Sequence, residues 1–229
     1  MLAIGQPSHA WLSGQLARAW GNERFGAVEP HEEVCLAAEQ HDIGMGPWDA
    51  APERNPDTGL PFAFTEMPVE RHLQQWREGP RRLIVQSRYA ALLASKHGSR
   101  LQRRRERTPA IDDYLAEQQG LQAELAASLQ AESELLERNH QLIWTWDYLS
   151  LALCLDWGPT TAHEVPTAGE PVELQLRDGT LTPWPFRAPA VAVRCEGRRL
   201  HGPYGSDAAL REALAVAPWE TLEFELVPG

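Results

Sequence analysis

Six residues with metal-ligand chemistry stand in otherwise apolar patterns: His9, His41, Asp42, His72, His97 and Asp147. Read as helices, the patterns put each on an inward face. His9 shares a face with Leu12 and Leu16. His41 follows Val34, Ala37 and Ala38 at i, i+3, i+4 and i+7. His72 lies with Val69, Leu73 and Trp76, and His97 with Ala90, Leu93 and Ala94. Asp147 faces the same way as Ile143, Trp144, Leu151 and Cys154. A carboxylate on such a face needs a cation, an arginine or several donors, because burying it unpaired is costly. Four neutral imidazoles and two carboxylates suit one or two divalent transition-metal ions, with iron, manganese, nickel or zinc favoured over magnesium. Alone, each has a plain structural account: a His-Asp pair can end a capped helix, and a single histidine can sit satisfied in a core. Together they would need a separate account on every helix, which makes one shared centre the stronger reading. His31, His140, His163 and His201 fall at helix edges or in loops and stay outside it.

The elements that must position these residues are mostly helical. A first helix should start at Ser8 and stop near Gly21. A second has Pro30 in its first turn and Gly44 at its end. Residues 47–68 hold five prolines and no clear period, with Trp48, Phe62 and Phe64 as aromatics. That stretch is either a lid or a surface loop with an aromatic plug. A short helix carrying His72 should break at Gly79-Pro80, and the next should run from about Arg81 past Lys96. A long acidic helix follows from Thr108 to about Arg138, then an apolar one from Asn139 to Asp156. After Gly158 the character changes. Residues 159–171 read as a linker. Val172–Arg177 and Leu181–Phe186 flank the turn Asp178-Gly179 as a hairpin, and residues 191–200 suggest a second one. A helix at 207–216 and a strand at 221–227 complete the pattern. The predicted fold is mainly α: a helical metal-binding bundle over 1–158 and a small β-rich α+β appendage over 172–229, docked through Pro183-Trp184-Pro185-Phe186.

Composition narrows the function classes. A net charge of −11 over 229 residues argues against general nucleic-acid binding. Nine tryptophans predict an aromatic-rich core and pocket. Cys35, Cys154 and Cys195 show no CxxC spacing, which suits reduced, buried thiols and a cytoplasmic protein. The first residues lack a signal-peptide pattern, and the most apolar segment, 142–157, contains Asp147 and Asp156 and is too short to span a bilayer. A homodimer is left open. Between Arg81 and Arg107 stand nine basic residues and one acidic one. Such a run usually means a solvated face. Its functional reading is attraction of a small anionic substrate towards His97 through Lys96 and Arg100.

The order His9, His41-Asp42, His72, His97, Asp147, with the string His41-Asp42-Ile43-Gly44, resembles the HD-domain superfamily of metal-dependent phosphohydrolases. More narrowly, Gln6-Pro7-Ser8-His9, Trp48-Asp49 and Asp147-Tyr148-Leu149-Ser150-Leu151 make the chain similar to an uncharacterised bacterial family within it, a domain of unknown function. The superfamily resemblance covers residues 9–157. It implies an all-helical core with His9, His41, Asp42 and Asp147 as ligands of one ion. It further implies His72 and His97 as ligands of a second, with Asp42 bridging and catalytic. Two departures stand out: Met45 occupies a position where many members carry lysine, and the Gly-Tyr-Pro signature of the cyclic-dinucleotide hydrolases is missing. The function implied is hydrolysis of a phosphorylated small molecule by a metal-activated water. The alternatives are a mixed-valent di-iron oxygenase and a non-catalytic ligand sensor.

Overall fold

The computed structural model describes residues Met1–Gly229. Strand β1 (Leu2–Ile4) leads into α1 (Gln6–Ala19), with Pro7 in its first turn, where the missing N–H costs nothing. Helix α2 (His31–Gln40) runs into a 3-10 turn (Ile43–Met45) and the short α3 (Gly46–Ala50). After a loop come α4 (Val69–Leu83), α5 (Arg88–Arg103), α6 (Pro109–Leu129) and α7 (Ser133–Cys154). Strands β2 (Thr160–Val165), β3 (Val172–Arg177), β4 (Thr180–Thr182) and β5 (Val191–Arg199) precede α8 (Asp207–Val216) and β6 (Trp219–Pro228).

The expectation of a mainly α bundle with a small appendage is corrected. All six strands join in one mixed sheet, in the order β1-β5-β6-β4-β3-β2. The pairs are antiparallel except β4 with β6. The edge strand β1 comes from the first residues of the chain, with Leu2 opposite Arg199 and Ile4 opposite Gly197. A single continuous cluster of buried side chains includes Leu12 and Leu16 of α1, Trp146 of α7, Leu174 of β3 and Leu226 of β6. Helices α1 and α7 lie against the sheet, so the two parts share one hydrophobic core. The predicted second hairpin is one long strand, β5, whose alternating burial from Val191 to Gly197 has the period of a half-buried strand. The predicted linker contains β2. The Pro-Trp-Pro-Phe segment does dock: the rings of Phe186 and Trp20 meet edge-on at 5.6 Å, and Asn22 Nδ2 donates to the Trp184 carbonyl at 2.9 Å.

Helix boundaries also differ: α1 starts at Gln6, not Ser8, and α5 at Arg88, not about Arg81. Helix α4 continues through Pro80 instead of breaking there. Proline removes one backbone donor, but burial of Leu73, Trp76 and Leu83 on the same helix outweighs that loss. The long acidic helix ends at Leu129, because Gln130 adopts a left-handed cap (φ 50°), and α7 starts four residues on.

Candidate metal centre and its cavity

The helix α2 delivers His41 and Asp42 at its end, and the 3-10 turn behind them presses against α4. That approach requires Gly44: a Cβ there would stand 2.2 Å from the Gln75 carbonyl oxygen and 2.7 Å from the Gly79 nitrogen. Gly98 does the same on α5, where a Cβ would meet the Trp76 ring and the Tyr114 hydroxyl at 2.7 Å. The two glycines let α4 and α5 close on the centre, so the residue after His97 is small for a steric reason.

Five of the six predicted residues converge. His9 Nε2 stands 2.8 Å from Asp42 Oδ2, and His41 Nε2 stands 3.6 Å from that oxygen and 3.4 Å from Asp147 Oδ1. His9 Nδ1 is 3.9 Å from Asp147 Oδ1, and His97 Nε2 is 3.5 Å from Asp147 Oδ2. All five side chains are buried. Ligand atoms ~2.1 Å from one ion lie ~3.0 Å apart at right angles and ~3.4 Å apart at tetrahedral angles, so the 3.4, 3.5 and 3.6 Å separations of His41 and His97 Nε2 from the carboxylates are close to tetrahedral edges. Two triads, His9–His41–Asp42 and His41–His97–Asp147, each gather their ligating atoms within 4.8 Å. Buried His/Asp groups that can hold a metal ion are therefore present.

The hydrogen bonds behind the ligands fix their tautomers. His41 Nδ1 lies 2.8 Å from the Ala38 carbonyl oxygen, which can only accept, so Nδ1 carries a proton and Nε2 is the nitrogen that faces the carboxylates, where a metal ion would take the place of a second proton. Ser150 Oγ donates to the Asp147 backbone carbonyl at 2.8 Å and lies 3.0 Å from His9 Nδ1. Its hydrogen is thus committed, and it accepts from His9 Nδ1–H. Ser13 Oγ donates to the same hydroxyl at 2.9 Å. This leaves His9 Nε2 presenting a lone pair to the Asp42 carboxylate at hydrogen-bond distance. Two acceptors at that separation call for a cation or a proton. His41 Nε2, Asp42 Oδ1 and both nitrogens of His97 have no partner, and buried polar atoms are rarely left so.

The charges of the cluster support each other. Burial opposes ionisation of Asp42, but His41 and His9 outweigh it and hold the carboxyl below its ordinary range. Burial also opposes ionisation of Asp147, and the His41 ring 3.4 Å away, with His97 beside it, reverses that effect and holds the carboxyl low. For His41, burial works against the charged form, yet the Asp42 carboxylate and Asp147 together raise the imidazole to about 9. His97 is pushed down to about 3, by burial above all, and is neutral.

The centre lines a cavity of about 120 Å³ walled by Met45, Phe64, Trp76, Leu101 and Leu151. Phe64 and Thr65 come from the loop 51–68, which is tied down by the far end of the fold. The Arg54 N–H donates to Asp207 Oδ1 at 3.0 Å, and the Tyr204 N–H donates to the Gly59 carbonyl at 2.8 Å. The region around α8 thus holds the loop that covers the cavity. A larger depression of about 490 Å³, beside Arg18, Glu32 and Tyr89, contains no comparable cluster.

His72 is placed apart from the ligand cluster. It lies on the cavity wall, and its Nδ1 accepts from the Arg105 guanidinium at 2.8 Å. Lys96 and Arg100 lie outside the cavity: Lys96 pairs with Glu137 at 3.0 Å, and Arg100 donates to Gln141 and stacks 4.0 Å from the Trp144 ring centre. The cation that reaches the cavity is Arg105, in the turn after α5. Its only signal in the sequence is membership of the basic run, because helical periodicity ends before it.

Comparison with known families decides the kinship. A family of proteins of unknown function, DUF3891, matches residues 1–202. The chain belongs to the DUF3891 family. Comparison with curated proteins and with solved structures gives no match. The HD-superfamily resemblance is corrected accordingly. The DUF3891 match runs through β2 to β5 as well as the helices, and the fold carries a mixed sheet that a helical HD core does not have. A His-Asp-x-Gly string at a helix end is short, and it arises here from steric need at Gly44 as well as from ligand chemistry. No helix is long and apolar enough to cross a membrane.

Proposed function

We propose that this DUF3891 protein is a metal-dependent hydrolase of a small phosphorylated molecule. The observation that carries the reading is the buried ligand set: His41 Nε2 and Asp42 Oδ1 have no hydrogen-bond partner, and His41 Nε2 lies 3.6 Å from Asp42 Oδ2 and 3.4 Å from Asp147 Oδ1, beside a cavity. His9, His41, Asp42 and Asp147 hold one divalent transition-metal ion, and His97 flanks it. One ion is favoured over two because the two triads share His41, and with Nδ1 committed to the Ala38 carbonyl its one remaining ring nitrogen can serve one ion. Such an ion lowers the pKa of a bound water to about neutrality and polarises a phosphoryl oxygen. The residues supply the rest. Ser150 and the Ala38 carbonyl orient the two imidazoles, as outer hydrogen bonds do in metal sites generally. Asp42 Oδ1, free of partners, would be available to orient a water that such an ion activates. Trp76, Phe64 and Leu101 keep other water out, which strengthens every charge inside.

The test is metal analysis of protein purified without chelator, paired with a panel of small phosphomonoesters. About one equivalent of manganese, nickel, zinc or iron is expected, with phosphate release that chelation abolishes and the metal restores. A chain that takes up none of these ions at neutral pH overturns the proposal. Iron-dependent consumption of dioxygen with no phosphate release also overturns it, in favour of oxygenation.

A further inference from the structure

The cavity has a second pole opposite in character to its His/Asp floor. His72 lies next to Trp76 (ring centres 5.7 Å apart), and Trp76 lies next to His97 (5.9 Å), so His72 is one indole away from the ligand cluster. Because the guanidinium of Arg105 donates to His72 Nδ1, the hydrogen of the neutral ring sits on Nε2 and is a donor. Burial, then the charge of Arg105, push His72 down to about 4, so the ring is neutral near pH 7. In this arrangement the ring, which lines the cavity, has one N–H donor and no free lone pair to offer a ligand. Around it stand further polar groups without partners. Gln102 lines the cavity, is completely buried, and neither its Oε1 nor its Nε2 has a hydrogen-bond partner; the indole N–H of Trp76 has none either. Arg105 has no carboxylate partner, unlike Arg107 two residues on, which pairs with Asp112.

We propose that Arg105, His72 and Gln102 form an anion seat that takes the charged head of a small phosphoryl- or carboxylate-bearing ligand. A guanidinium, an imidazole N–H and a carboxamide are all donors to such a head, and charge-assisted bonds of this kind are the strong ones. The cavity volume, about 120 Å³, lies well below the ~300–1,000 Å³ typical of sites for drug-sized ligands, so the ligand is small and a nucleotide does not fit. As a substrate seat the assignment rests on the hydrolase reading and gives the substrate two ends: a scissile group at the His/Asp floor and an anionic group on Arg105. As an anion seat it stands without that reading.

The experiment therefore uses the chelator-treated full chain and needs no turnover. Inorganic phosphate, methylphosphonate and acetate are titrated by calorimetry, with the His72 ring resonances followed by NMR. At least one anion is expected to bind and shift the His72 signals. Arg105→Gln should weaken that binding at least tenfold, and Arg100→Gln, whose guanidinium stacks on Trp144 outside the cavity, should leave it unchanged. Preference for phosphate and methylphosphonate assigns a phosphoryl head, and preference for acetate assigns a carboxylate. Binding of none of the three, binding that leaves His72 unshifted, or equal affinity in Arg105→Gln overturns the seat. The NMR arm is read on the unaltered chain, so a folding defect in a variant does not blur the result. Loss of the hydrolase reading with anion binding intact would leave the seat standing.

Discussion

The first 150 residues and the rest of the chain treat polar atoms in opposite ways. Up to Ser150 the chain buries histidines, aspartates, glutamines and serines, and every buried side-chain atom without a hydrogen-bond partner lies there. Beyond Ser150 every fully buried side chain is apolar or a cysteine, and the polar groups of the strands face outward. Both regions contribute to the same hydrophobic core. Since unpartnered buried polarity costs stability, its confinement to one region marks where the fold gives up stability for chemistry. The sheet and α8 close the core and hold the covering loop in place.

The largest expected effect sets these roles against each other at Asp42. Asp42→Ala should abolish metal uptake, a loss of more than ~100-fold in affinity, since even residues behind the ligands are worth 10–100-fold. In chelated protein the same change should lower the melting temperature, because it removes the carboxylate that faces His9 and His41 and leaves their rings buried without it. Metal analysis and thermal unfolding check both halves. An apo protein of unchanged stability, or normal metal content, would break the comparison.

On the sheet side, Leu174 is completely buried within the shared core. Leu174→Ala should cost ~2–5 kcal/mol of folding stability by denaturant titration. The folded fraction should keep its metal stoichiometry. Loss of metal from well-folded Leu174→Ala protein would show that the sheet shapes the centre directly.

Much of the centre was legible because helices give a clear period. His9, His41, His97 and Asp147 each interrupted an apolar stripe, and the stripes pointed inward as the period required. The sheet was harder to read. Pairing of Leu2 with Arg199 joins the two ends of the chain, and the parallel contact of β4 with β6 is two residues long, so no local pattern encodes either. Pro80 inside α4 was misread because local chemistry forbids what burial of Trp76 and Leu83 enforces. Arg105 was invisible as a site residue, since a turn and not a period aims it inward.

A smaller effect concerns orientation. Ser150→Ala removes the acceptor that holds the His9 Nδ1 proton and leaves Ser13 with less to bind. Metal affinity should fall ~10-fold, at the lower end of what outer hydrogen bonds contribute. Competition with a metal-sensitive dye measures this. Ser150→Thr, which keeps the hydroxyl, should recover most of it.

The smallest effect separates the buried Asp42 and Asp147 from the half-buried Asp49. Asp42 and Asp147 are held low by histidines, but Asp49 on α3 faces no cation. Its Oδ2 accepts from the Gln6 N–H at 2.6 Å, yet burial, helped by the negative charge of Asp42, raises it from 3.8 to about 7. A carboxyl whose folded pKa lies above its unfolded value favours the fold while protonated. That contribution is complete below about pH 4 and is lost as pH rises towards and through 7. Between pH 6 and pH 8 the chain should therefore lose about 1 kcal/mol through this group. Asp49→Asn keeps an acceptor for Gln6 and cannot ionise. It should flatten that part of the profile and exceed the parent in stability at pH 8, by a few degrees of melting temperature. Identical pH profiles for the two proteins would mean that Asp49 is already paired with a positive group, and that the chain keeps none of these carboxylates without one.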